Sequence, residues 1–173
     1  MKFAEYAEKL MGMSDSTWQR HANPWSGWSR LTVLPALALA AWSRVLIGPW
    51  AILPALAALA WVWLNPRLFS PPARKDNWMT RGIFGERVWL RRKSVPIPAH
   101  HVRAGNVLNA LSALSGLVFI AGLIWLDPWA TLSGMALTML LKLWFLDRMA
   151  WLYSDMERQN AQYAAWSSGG TPA

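Results

Sequence analysis

No cysteine occurs in the 173 residues. That absence removes disulfides, Cys-ligated zinc, iron–sulfur clusters and thiol catalysis, and it leaves the redox compartment open. Acidic residues are scarce, nine against 17 Lys and Arg. The three histidines are far too few for the eight-His di-iron arrangement of membrane desaturases and hydroxylases. No nucleophile elbow, phosphate loop or dinucleotide fingerprint is present, so no cofactor is expected.

What the chain has in abundance is apolar residues, 54% against only 15% charged, and 14 tryptophans. The apolar residues gather in two blocks, 31–64 and 104–146, where charge is nearly absent. Tryptophan favours the headgroup level of a bilayer, where its ring is half buried and its N–H meets water. Trp25, Trp28, Trp50, Trp61, Trp63, Trp125, Trp129, Trp144 and Trp151 all fall near block ends. Between the blocks, residues 64–105 carry nine Lys/Arg against Asp76 and Glu86, a net charge of +7 that is nearly the whole formal +8 of the chain. Positive charge held in one segment between membrane spans follows the positive-inside rule. No nucleic-acid partner is therefore expected, despite a pI near 10.6.

Block one is 34 residues long. As a single helix it would reach about 51 Å, too long for a hydrocarbon core of about 30 Å. A fold-back at Gly48-Pro49 is expected, with kinks at Pro35 and Pro54; a single tilted or re-entrant element is the alternative. Block two repeats the plan, with Asp127-Pro128-Trp129 at its bend. Both bends end in Pro-Trp-Ala, which places Arg44 and Asp127 on one face, where an ion pair between the hairpins is expected.

The fold class is therefore all-α integral membrane, four transmembrane helices arranged as two hairpins, with an ordered basic cytoplasmic loop between spans two and three. The segments are a cytoplasmic N-terminal segment over 1–30, hairpin one over 31–64, the basic loop over 65–105, hairpin two over 106–153 and a partly disordered tail over 154–173. Phe3, Tyr6, Ala7, Leu10 and Met11 recur at helical spacing, which suggests a short interfacial helix. Within the loop, residues 86–98 read as strand, turn and edge strand, and a short amphipathic helix over 84–92 is the competing reading. The positive-inside rule puts both termini and the loop in the cytoplasm, with the chain in a prokaryotic inner membrane.

The polar residues that could form a site fall at this one face. Arg30, Asn65, Arg67, Arg81, Arg87, Arg148 and Asp155 are the candidate ligand-binding residues, since guanidinium groups pair bidentately with anionic headgroups. His21, Glu86, His100, His101 and Asp147 are the candidates for acid–base work, although no spacing is diagnostic of a reaction. Trp144, Asp147, Trp151 and Asp155 fall on one helix face; the deep Lys142 either takes Asp147 as its counter-ion or snorkels to the inner surface. No metal is expected, since adjacent histidines seldom ligate one ion; His21, His100 and His101 are the fallback ligands.

The runs His21-Ala22-Asn23-Pro24-Trp25-Ser26, Asn65-Pro66-Arg67-Leu68-Phe69, Gly85-Glu86-Arg87-Val88-Trp89-Leu90, Pro96-Ile97-Pro98-Ala99-His100-His101 and Asp147-Arg148-Met149-Ala150-Trp151-Leu152-Tyr153 resemble a family of small prokaryotic membrane proteins of uncharacterised function, over residues 17–156. The resemblance implies a multi-span fold and carries no activity with it. The reading is a structural or accessory membrane protein whose cytoplasmic site binds an anionic lipid headgroup or a partner subunit, with membrane lipids and a protein partner or second copy as its contacts. A small membrane enzyme acting on a lipid-like substrate is the alternative.

Overall fold

The computed structural model describes residues 14–168 and contains helices and turns, with no strand among the described residues. In chain order these are α1 (Asp15–His21), α2 (Pro24–Ser29), a 3-10 turn (Arg30–Thr32), α3 (Val33–Ile47), a second 3-10 turn (Gly48–Ala51), α4 (Ile52–Leu68), α5 (Trp78–Leu90), α6 (Ala99–Trp125), α7 (Pro128–Gln159) and α8 (Ala161–Ser168). The proposed interfacial helix at residues 3–11 lies outside the described residues.

Three helical stretches are long and apolar enough to cross a membrane, Pro24–Leu68, Ala99–Trp125 and Pro128–Gln159. The expected count was four. The difference lies in the first stretch, which doubles back. Gly48 has φ 57 and ψ −133, a combination open to glycine alone, and it ends α3 before Pro49 restarts the chain. The return brings Asn65 Nδ2 within 2.7 Å of Ser29 Oγ, 36 residues earlier. The two arms have 15 and 17 residues, about 22 and 26 Å at 1.5 Å per residue, so neither alone matches a core of about 30 Å. Pro35 and Pro54 stand in the first turns of their helices, where a missing N–H is harmless, so neither needs the expected kink.

The second hairpin is closer packed. Leu126 takes the left-handed conformation at the end of α6, and the Asp127 side chain caps α7 by accepting from Ala130 N at 2.8 Å. A Cβ on Gly122 would meet the backbone of Thr131, and one on Gly134 the backbone of Phe119. Small residues are thus what let the α6 and α7 backbones touch.

The basic segment is the principal correction. It is not a strand pair but the helix α5, started by Asn77, whose side chain accepts from Thr80 N at 2.9 Å. Met79, Ile83, Phe84 and Val88 recur at four- and five-residue spacing and are all buried, a helical stripe that outweighs the strand-like look of residues 86–98. The stripe lies on the second half of α7, where a Cβ on Gly85 would strike the Met149 carbonyl.

The tail is the second correction. α7 runs on to Gln159 and α8 follows, with Tyr163 and Trp166 buried against Phe84 and Tyr153. Residues 161–168 are thus ordered, because two aromatic rings repay the entropy of fixing one short helix.

The protein core gathers at this end. Trp18, Ile83, Phe84, Phe145, Met149, Leu152, Tyr153 and Trp166 belong to one buried cluster. The long apolar stretches are inverted by comparison: no more than 22% of any of their most apolar windows is buried, and Leu46 is 88% exposed. Apolar surface on this scale needs a non-aqueous neighbour.

Candidate functional site

The two hairpins meet at both ends and part between them. At the bend end, Trp42 Nε1 donates to Thr131 Oγ1 at 3.4 Å, and Arg44 donates to the Ile124 carbonyl. The expected Arg44–Asp127 ion pair is therefore replaced: the free carbonyl at the end of α6 takes the guanidinium, and Asp127 is occupied as a helix cap. At the opposite end α1, α2 and α5 bridge the hairpins. Between these contacts lies a cavity of about 310 Å³, at the lower end of ligand-pocket sizes. Leu31, Leu34, Val62, Ile83, Met139 and Leu143 line its walls, and His21, Arg30, Glu86 and Lys142 line its polar end.

The polar end is built from the HANPWS run. Asn23 caps α2 through Trp25 N and also donates to the Ser70 carbonyl, which fixes the turn between α1 and α2. That turn aims His21 and Ser26 at one another. Arg30 Nη1 lies 3.0 Å from His21 Nε2, and since a guanidinium only donates, Nε2 must accept. In the neutral ring the proton then sits on Nδ1, which donates to Ser26 Oγ at 3.2 Å. Ser26 Oγ donates to Asn65 Oδ1 at 2.6 Å, and Asn65 Nδ2 donates to Ser29 Oγ at 2.7 Å. Every donor direction in this buried relay is set by the arginine at its head. Burial, with Arg30 and then Lys142 adding to it, holds the His21 imidazole well below its usual range, so it stays neutral.

Lys142 pairs with Glu86, Nζ to Oε1 at 2.6 Å, and not with Asp147. Asp147 is taken by Arg148 at 2.8 Å and by Trp78 Nε1 at 3.1 Å, on another side of α7. The polar end therefore presents two cations, one carboxylate and one neutral imidazole, a net charge of +1. Arg30 Nε is buried and has no partner there.

The sequence candidates do not form one ring. His21, Arg30, Asn65 and Glu86 come together, joined by Ser26, Ser29 and Lys142. Arg81 instead binds Glu157 and Ser154, each at 2.9 Å, and Arg87 pairs with Asp15 and lies 4.5 Å from the Trp166 ring. Arg67 stacks on Trp63 at 3.8 Å. His100, His101 and Asp155 form a separate cluster. Trp144 and Trp151 share an exposed face, while Asp147 and Asp155 beside them bind different partners. Ser26 and Ser29 were missed because a serine beside a proline and a tryptophan reads as a turn residue. Their three-residue spacing on the helical side of Pro24 is the signal that could have found them.

Residues 4–172 of the chain match the Family of unknown function (DUF6653). The chain belongs to that family. The match extends beyond residues 17–156 into the first residues and through α8, in keeping with a last helix packed into the core rather than a trailing end. No curated protein and no solved structure matches the chain.

Proposed function

We propose that this member of the family is a prokaryotic inner-membrane protein that holds one anionic amphiphile in the cavity between its hairpins, headgroup at Arg30 and Lys142 and acyl chain along the apolar walls. The observation that carries the reading is a polar end of net charge +1, with Arg30 and Lys142 lining the same cavity as the apolar walls. A monovalent phosphodiester or carboxylate balances that charge, and the walls replace the bilayer around one chain. The net +7 of residues 64–105 puts this end at the cytoplasmic surface, where anionic lipids attract it. In this orientation both short arms of the first hairpin cross a locally thinned bilayer, giving four crossings with both termini inside.

The enzymatic alternative draws on His21, Glu86, His100, His101 and Asp147. Of these only His21 and Glu86 line the cavity, and both ring nitrogens of His21 are already engaged.

The test is native mass spectrometry of the mildly solubilised full chain. One anionic lipid per chain is expected, lost in Arg30→Gln and also in Leu34→Trp, which fills the apolar wall without touching a charge. Retention unchanged in both variants would refute the cavity as the binding place.

A further inference from the structure

A second cluster shares no residue with the cavity. The donor atoms of His100, His101 and Asp155 lie within 4.8 Å of one another. His101 is buried, and its Nε2 stands 3.0 Å from Asp155 Oδ2. His100 is exposed, with its ring centroid 4.1 Å from that of His101 and no hydrogen bond engaging it among the described residues.

The local chain explains how two neighbouring histidines can serve one point. Pro96 and Pro98 stiffen the approach, and Pro98 immediately precedes α6. The His101 N–H bonds the Pro98 carbonyl at 3.1 Å, so both imidazoles leave the first turn of α6. Asp155 comes from the far end of α7, held in line by the turn that also presents Ser154 and Glu157 to Arg81. Two elements 54 residues apart thus converge on one carboxylate and two imidazoles.

The geometry points to a divalent transition-metal site at His100, His101 and Asp155, suited to a borderline cation of the Zn²⁺ class. An ion bound at about 2.0 Å in a tetrahedral field separates its ligands by about 3.3 Å. The His101–Asp155 edge, at 3.0 Å, is within a few tenths of an ångström of that length, and the exposed His100 ring, whose donor atom lies within 4.8 Å of both, completes the third corner by rotation about its own torsions. Two imidazoles and a carboxylate match this class of ion, and three protein ligands leave the remaining position to water. The 3.0 Å His101–Asp155 contact brings two of the three ligands side by side before an ion arrives, and a small turn of the ring with loss of the shared proton admits the ion between them.

The competing account is a plain helix-to-helix hydrogen bond with His100 a bystander. His100→Ala separates the two, because it leaves the His101–Asp155 contact intact. With the untagged, full-length protein in mild detergent, native mass spectrometry and isothermal titration with ZnCl₂ are expected to give one Zn²⁺ per chain. His100→Ala and Asp155→Asn should each weaken binding at least tenfold. The melting temperature of metal-free His100→Ala should equal that of the metal-free parent, and added Zn²⁺ should raise the melting temperature of the parent only. Failure of the parent to bind Zn²⁺, or equal binding by His100→Ala, overturns the assignment. If Asp155→Asn fails to fold, the His100→Ala titration still decides.

Discussion

Lys142 Nζ lies 2.6 Å from Glu86 Oε1, and this contact ties α7 to α5 at the edge of the cavity. A cation this far along an apolar helix is costly unless paired or wet, and here it is both paired and partly open. The pair also lies beside Arg30, so its carboxylate tempers an otherwise strongly positive pocket.

Glu86→Gln should therefore destabilise the protein by about 1–2 kcal/mol, less than for a fully buried pair because the Lys142 side chain is 43% exposed. Combining it with Lys142→Met should recover part of that loss. A double-mutant cycle on melting temperature reads the coupling, and strict additivity would show that the pair contributes nothing.

Gly85→Ala places a methyl group against the Met149 carbonyl, where backbone on both sides has no freedom to yield. A loss of about 3 kcal/mol or more is expected, or failure to fold. Gly116→Ala is the control, since its Cβ would meet only Thr138 Oγ1 at 4.0 Å, ordinary contact distance. Its melting temperature should match the parent or rise slightly through the gain in helix propensity.

Asn65→Ala removes the acceptor of the Ser26 hydroxyl and the donor to Ser29 in a fully buried position. The cost should be about 1–3 kcal/mol, the usual penalty for stranding buried polar groups. Ser29→Ala, which removes an acceptor nearer the surface, should cost less in the same thermal melts.

The depressed His21 imidazole sets a pH dependence. About a pH unit or more above 6.5 the ring is neutral in folded and unfolded chains alike and contributes no slope. As pH falls below that value the unfolded chain gains a proton that the folded chain refuses, so stability declines until the lowered folded value is reached. Melts between pH 7.5 and 5 should show this decline, and His21→Asn should flatten it while lowering stability throughout.

Topology is open to direct measurement. A reporter fused at Gly48 should give an external signal, and one inserted at residues 91–93 an internal one. The reverse pattern would remove the orientation on which the headgroup site depends.

The apolar blocks and both reversals were legible, because charge depletion and the Gly48-Pro49 and Asp127-Pro128 bends are local signals. α5 was legible only as the competing helix over 84–92, since Pro96, Pro98 and the aromatic alternation around Trp89 imitate an edge strand until α7 is there to receive Ile83, Phe84 and Val88. The partner of Lys142 was misassigned for a similar reason. Asp147 is nearer in sequence, but Glu86 reaches it across 56 residues through a packing that periodicity cannot foresee. α8 escaped notice because a short helix without charges, with Asn160 as its N-cap, gains its order from rings it meets only in three dimensions.

Tyr163 and Trp166 close over Phe84 and Tyr153, and the Trp166 carbonyl accepts from Lys75 at 2.8 Å. The middle of the chain is thus covered by its last helix. During synthesis α5 emerges some eighty residues before the partners that shield its far side, so its apolar stripe must wait, at about 5–20 residues per second, for several seconds beside the membrane. A nascent chain stalled before residue 161 would have α7 to cover one side of that stripe but would leave Phe84 and Tyr153 without Tyr163 and Trp166, within reach of proteases and chaperones.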